Sequence, residues 1–300
     1  YRGINFQLEQ YATFDFQGNQ NNMQYKAEVN VNWINNWSTE LGLGHKPLSY
    51  ENAYLRGGPR WRYADKNFLY FFFGSDKSKK MSFTAGYIDR KTEETVNDLK
   101  KYIFKLDYQP FDALSISLNT EFEKIIDKTQ YITTTDFGNQ KRYILGEIDN
   151  QSLSTTLRLN YSINPNMSIQ FYGQPYISRG RYSNFNFVNQ STAARLEDRI
   201  SMYSQTQISF MNDVYNIDEN LDGNTDYTFN KPDFSFVQFR TNLVARWEYI
   251  PGSELFFVWA RGGVTFDDPR NSLTRSLRDQ ITNNKLQDPF LIKATYRFVK

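Results

Sequence analysis

Hydrophobic and polar positions alternate with a period of two along much of the chain. From Met23, the apolar positions Met23, Tyr25, Ala27, Val29, Val31 and Trp33 interleave with Gln24, Lys26, Glu28, Asn30 and Asn32. Successive side chains of an extended strand point to opposite faces, so this run presents one apolar face and one polar face. The same period sets Leu114, Ile116, Leu118, Thr120 and Phe122 against Ser115, Ser117, Asn119, Glu121 and Glu123. It also sets Leu153, Thr155, Leu157, Leu159, Tyr161 and Ile163 against Ser154, Thr156, Arg158, Asn160 and Ser162. It recurs in Tyr102, Phe104, Leu106 and Tyr108, in Thr241, Leu243, Ala245, Trp247 and Tyr249, and in Ile292, Ala294, Tyr296 and Phe298. These runs reach about 10 residues or more, as a tilted membrane strand requires, whereas sandwich strands usually stop near five or six.

Turn chemistry divides the runs. Short reversals are predicted at Ile34-Asn35-Asn36, Ser75-Asp76-Lys77-Ser78, Pro110-Phe111-Asp112, Asn164-Pro165-Asn166 and Pro251-Gly252-Ser253, all rich in turn-forming residues. Long polar links are predicted around Lys46 to Pro59, Gly180 to Pro232 and Asp267 to Asp288. Alternating short and long links are the pattern of outer-membrane barrels, with short periplasmic turns and long extracellular loops. The expected fold is therefore all-β: an antiparallel transmembrane outer-membrane β-barrel of about twelve strands over residues 1–300, with both ends on the periplasmic side. Trp33 with Trp37, Tyr108 with Phe111, and Trp247 with Tyr249 flank short turns, where an interfacial aromatic belt belongs.

Composition strengthens this expectation. Aromatics make up 17% of the chain, with 25 Phe and 21 Tyr, yet mean hydropathy is a polar −0.67. A barrel with aromatic girdles outside and polar residues inside has that combination. The formal charge of +2, from 35 basic and 33 acidic residues, is too balanced for a nucleic-acid footprint. There is no cysteine, which removes disulfide frameworks and thiolate metal sites. The sequence opens at Tyr1 without a basic or apolar leader, and the expectation is that an upstream portion lies outside it.

Three stretches carry a family resemblance: Arg246 to Trp259 (RWEYIPGSELFFVW), Arg158 to Tyr182, and Leu55-Arg-Gly-Gly-Pro59. They resemble a Bacteroidetes-type family of outer-membrane proteins in which an N-terminal domain similar to family-9 carbohydrate-binding modules precedes a C-terminal barrel of unassigned function. The resemblance spans nearly the whole chain. It implies a C-terminal barrel domain without its N-terminal partner, with carbohydrate contacts belonging to the absent domain. It implies no catalytic or transport residues. The ending Tyr296-Arg-Phe298-Val-Lys300 resembles the aromatic C-terminal signal of outer-membrane proteins, except that two residues follow the Phe.

Candidate chemistry is sparse. His45 is the single histidine, and the expectation is a rim residue and no enzyme, because a triad needs a Ser and a carboxylate beside it. Lys26, Glu28, Glu40, Lys105, Asp107, Glu121, Glu123, Arg158, Arg240, Arg246 and Glu248 are expected on the inward face. They would either line a water-filled passage or pair across a narrow lumen and close it; the mixed signs favour closure. Asp218, Asn220, Asp222, Asn224 and Asp226 around Gly223 match the first half of a calcium loop, but Phe229 stands where the bidentate Glu belongs. An Asx-rich turn is the competing explanation. No other cofactor is expected. Tyr50, Tyr54, Tyr182, Phe185 and Phe187 are loop aromatics able to stack on sugars. The expected partners are outer-membrane lipid, other envelope proteins, and carbohydrate through the absent domain. The expected role is a non-enzymatic membrane anchor or assembly component. The alternatives are a diffusion or uptake channel for oligosaccharides and an outer-rim hydrolase using carboxylates such as Asp213.

Overall fold

The computed structural model describes residues 1–16, 18 and 20–298. The chain begins with β1 (Gly3–Phe14), β2 (Gln20–Asn32) and β3 (Ser38–Lys46), then the small hairpin β4 (Ser49–Glu51) and β5 (Trp61–Tyr63). Six wall strands follow: β6 (Lys66–Gly74), β7 (Met81–Thr92), β8 (Asn97–Phe111), β9 (Leu114–Phe137), β10 (Gln140–Asn164) and β11 (Met167–Val188). A short helix α1 (Leu196–Arg199) leads to β12 (Ile200–Met202), β13 (Ile208–Met211), β14 (Val214–Ile217) and β15 (Tyr227–Asn230). The wall resumes with β16 (Phe234–Ile250) and β17 (Ser253–Phe266), crosses helix α2 (Leu273–Thr282), and ends in β18 (Phe290–Ala294).

Twelve of these strands form one antiparallel path, β1-β2-β3-β6-β7-β8-β9-β10-β11-β16-β17-β18. Register transmits the sequence alternation across it. Phe6 lies opposite Val29, Val29 opposite Leu41, Leu41 opposite Phe71, Phe71 opposite Tyr87, and Tyr87 opposite Tyr102. The row continues through Phe122, Leu153, Ile177 and Val237. One face of the sheet is therefore apolar from β1 to β16, because cross-strand partners project to the same side. Much of it is uncovered: Phe6 is 64% exposed, Leu43 54%, Tyr102 49% and Trp247 48%.

The apolar face has a defined height. On β8 it runs from Tyr108 through Leu106, Phe104 and Tyr102 and gives way to Lys100, and on β9 from Ile116 through Leu118, Thr120 and Phe122 to Lys124. On β6 it ends at Asn67, on β7 at Asp89 and on β11 at Arg179. From Tyr108 to Lys100 the strand climbs about 27 Å at ~3.4 Å per residue. Aromatics gather at the turn end, where Trp37 packs on Phe73 at 5.0 Å and Phe83 at 5.7 Å, and Phe111 packs on Tyr161 at 6.4 Å.

Among the described residues the path is open, since β1 and β18 do not pair with each other. Gly3 lies opposite Asn32 beside the turn at Ile34–Asn36, whereas Ala294 lies opposite Leu255 beside the turn at Pro251–Gly252. The two edges thus run in opposite directions.

All five short turns sit where the sequence places them, but the long links differ from expectation. β9, β10 and β11 extend to 24, 25 and 22 residues, so β11 runs on to Val188, well into the predicted link from Gly180. These tips rise past the apolar face and are covered on both sides. Ile144 and its neighbour Leu145, pointing to opposite faces, are each fully buried. Ile144 packs with Phe185 of β11, with Tyr203 just after β12, and with Ile217, Tyr227 and Phe229 of the β13–β15 sheet. Leu145 packs with Leu55, Trp61 and Ile200. The link from Asp267 contains α2, which the period-two reading did not anticipate. Ser272 caps it by accepting from Arg275 N. Leu277 packs against Ile177 and Val237, so the helix lies on the apolar face of the sheet near its loop end.

Ile144→Ala removes a fully buried side chain from the cap and should destabilise it by about 2–5 kcal/mol. The expected outcome is proteolytic cutting between β12 and β15 at lower urea than in the parent, with the wall strands still resistant.

Candidate functional site

The polar face gathers the charges read from the sequence. Its central row runs Glu28, Gly42, Tyr70, Ile88, Lys101, Glu123, Ser152 and Ser178 by direct pairing. Lys26, Glu28, Lys105, Asp107, Glu121, Glu123, Arg158, Arg240, Arg246 and Glu248 all share this face.

Their partners are local. Lys26 Nζ sits 2.9 Å from Glu28 and 3.3 Å from Glu9 on the adjacent strand. Lys101 lies 2.8 Å from Glu121 and 3.9 Å from Glu123. Arg246 donates through Nε to Glu254 at 2.8 Å and reaches Glu248 at 3.2 Å. The Arg158 guanidinium rests 5.2 Å from the Tyr172 ring centre on β11. Among the described residues, every ion pair on the wall portion of this face joins one strand to itself or to its immediate neighbour. These pairs therefore run laterally within the sheet.

At the loop end the side chains build a cap with its own buried polar core. Arg199, 1% exposed, donates to Glu94 Oε2 at 2.9 Å and to the carbonyls of Ala194 at 2.7 Å and Ala193 at 3.1 Å. Glu94 also accepts from Leu196 N at 2.8 Å, and the neighbouring Glu93 accepts from Arg62 at 3.1 Å. Glu94 and Thr95 take φ of 56° and 52°, a left-handed pair rare for residues with a Cβ, held here by the contacts of the Glu94 carboxylate. Burial lowers the Arg199 pKa, opposed by its bond to Glu94. Arg142 grips Glu219 with Nε at 3.0 Å and Nη2 at 2.8 Å, and that bond raises its pKa. Tyr227 also donates to Glu219 and shares a 3.0 Å hydroxyl contact with Tyr203.

Asp127 lies under the cap, 5% exposed. It accepts from Asn97 Nδ2 at 2.5 Å, Thr129 N at 2.8 Å and Thr129 Oγ1 at 3.1 Å. Burial nevertheless pushes its carboxyl above the usual range, outweighing the hydrogen bonds that favour the ionised form.

The remaining sequence candidates are placed as follows. In the Asp218–Asp226 loop, Asp218 accepts from Asp222 N and Gly223 N at 3.1 and 2.8 Å, Asp222 from Asn224 N at 2.8 Å, and Asp226 from Glu219 N at 2.7 Å. This is Asx-turn bonding, with carboxylate oxygens turned to the loop's own backbone. Among the described residues no group of three or more His, Cys, Asp or Glu is arranged to hold a metal ion. His45 lies one residue before the end of β3, with Nδ1 3.0 Å from Asn67 Oδ1. The loop aromatics turn inward: Tyr54 stacks on Trp61 at 5.3 Å, Phe185 packs on Tyr215 at 4.4 Å, and Phe187 on Tyr203 at 5.4 Å. These three belong to the interior of the cap, while Tyr50 lies under the Arg60 guanidinium, 5.2 Å from the ring centre. The Arg199–Glu94 pair spans 105 residues, and no local pattern signals it.

The chain belongs to the family described as a domain of unknown function (DUF5916), which matches residues 2–299. No curated protein matches it. Membership carries no activity, so the roles of the buried polar groups rest on their own tests. Glu94→Ala should cost about 2–3 kcal/mol of cap stability, less than a fully buried pair because Glu94 stays partly exposed. Adding Arg199→Met should restore much of it, as a double-mutant cycle by urea-dependent proteolysis would read. The raised carboxyl of Asp127 contributes stability that is complete below about pH 4 and lost as pH rises through its elevated pKa. The stability difference between parent and Asp127→Asn should therefore shrink from pH 4 to pH 7.

Proposed function

We propose that this chain forms a transmembrane β-barrel of a bacterial outer membrane, and that its polar face lines a hydrated passage for small polar solutes. The observation that carries the passage is the local pairing of the inner-wall charges: Lys26, Lys101 and Arg246 satisfy their charge along the wall and leave the space before it to water.

Three further features support the membrane. A tilt of about 40° reduces the ~27 Å climb of the apolar face to about 20 Å, near the ~25 Å apolar band of such barrels. Its turn end carries the aromatic girdle of Trp33, Trp37, Tyr108, Phe111 and Trp247. An exposed apolar face of this extent is a liability in water and a requirement in lipid. The free edge of β1 presents unpaired backbone groups that lipid would not tolerate. The opposed directions of β1 and β18 are the sense in which an even-stranded barrel closes. The Bacteroidetes-type kinship, with a carbohydrate-binding domain ahead of the barrel, belongs to the same proposal.

A second reading, a non-conducting anchor or assembly component, is favoured by the cap, whose buried cores and ion pairs make a rigid outer platform. Single-channel recording of the full-length protein in planar bilayers separates the two. Steady ohmic current is expected. Silence in a correctly inserted protein would overturn the passage and leave the anchor.

A further inference from the structure

The polar face departs from its own rule on β6. Phe68, Tyr70 and Phe72 alternate with the apolar-face residues Leu69, Phe71 and Phe73, so three successive rings point to the water-facing side. Among the described wall strands, β6 is the one that does this with three consecutive positions of that face.

Glycines on both flanking strands receive these rings. Gly44 lies opposite Phe68 and Gly42 opposite Tyr70 on β3, and Gly86 lies opposite Phe72 on β7. A Cβ built on Gly44 would run into Cζ and both Cε atoms of Phe68 at closely similar distances, and one on Gly42 into Cζ, Cε1 and Oη of Tyr70. A ring pointing its tip at the glycine would bring one atom much closer than the rest. Near-equal approach of three atoms means that the ring is laid with its face on the strand. Phe72 meets Gly86 through its Cδ1–Cε1 edge, with Cζ farther away, and its ring is inclined 57° to that of Tyr70. The other faces of Phe68 and Tyr70 are left toward the polar side, and all three side chains remain partly exposed. Aromatic cover of strand glycines is itself a device that pins register. Flat aromatic faces that stay exposed also offer an electron-rich apolar surface.

Polar groups frame the strip. Tyr70 donates to Glu28, which also takes Asn30 Nδ2 at 2.5 Å and Lys26 at 2.9 Å. Glu40 lies opposite both Asn30 and Phe72. Residues 68 to 72 span about 13 Å along the strand at ~3.3 Å per residue, the length of two to three pyranose rings. We propose that Phe68, Tyr70 and Phe72 form a binding strip for a linear oligosaccharide. The C–H faces of its sugars would lie on the rings, and its equatorial hydroxyls would reach the carboxylates and amides alongside. This rests on the hydrated-passage reading.

The test titrates folded parent protein in detergent micelles with maltohexaose, cellohexaose and glucose, followed by calorimetry, and repeats the sugars in planar bilayers. The parent should bind at least one hexasaccharide more tightly than glucose. The bulk-conserving pair Phe68→Leu with Phe72→Leu keeps the glycines covered and should weaken that binding about tenfold or more. Tyr70→Phe, which keeps the ring, should weaken it far less. Absence of hexasaccharide binding by the parent, or parent-like affinity in the leucine pair, overturns the proposal. Current without sugar binding would remove this inference and leave the passage, whereas sugar binding without current would remove the passage and leave the strip.

Discussion

Antiparallel pairing transmits a face from strand to strand only while the register holds. A slip of one residue anywhere in the twelve-strand path would exchange apolar and polar sides for everything beyond it. The row from Phe6 to Val237 remains unbroken across ten strands, and the short turns at one end are what pin it. Each leaves little slack for a shifted alignment. Everything else in the molecule is arranged around a wall whose two sides differ in chemistry over one fixed height.

Above that height the constraint reverses. Strand tips that carry apolar side chains on both faces, such as Ile144 and Leu145, need protein cover on both sides to keep them from water. Both register shifts between β9 and β10, and one of the two between β10 and β11, fall in this region, around Ile144 to Ile148. There the sheet exchanges regular pairing for the irregular contours that the β13–β15 sheet and the β4–β5 hairpin fit. The charges follow the same division. In the wall zone they pair within a strand or with the next one, and in the cap they join segments far apart in sequence, as Arg199 does with Glu94 and Arg142 with Glu219.

The wall was legible in the sequence because period two is a local signal and each short turn has its own chemistry. The alternation from Met23 to Trp33 and from Leu114 to Phe122 is what the strands display, and the count of about twelve matches the path. The upper halves of β9 to β11 were not legible, because cover on both sides and the register shifts there break the alternation of apolar and polar positions. Ile144-Leu145 reads as a plain apolar pair. Helix α2 was hidden for a similar reason: its sheet-facing side holds Ser276 and Gln280 beside Leu277, so its stripe is too polar to stand out. The direction of Lys26 and Glu28 could be read from the pattern, but their choice of partners could not, because pairing along or across an interior depends on its width. The glycine-seated rings of β6 also escaped, since Phe68 to Phe73 forms a continuous apolar run, aromatic except at Leu69, with no visible parity.

Helix α2 makes the apolar face of the sheet uneven from one strand to the next. Most of that surface is a bare lattice of side chains, but over β11 and β16 a helix lies across it and holds Arg275 and Arg278 clear of the sheet. A flat body could approach the bare sector closely, while the sector bearing the helix would hold it roughly one helix diameter, about 10 Å, away. One ten-residue element thus divides a face of uniform chemistry into two regions of different relief.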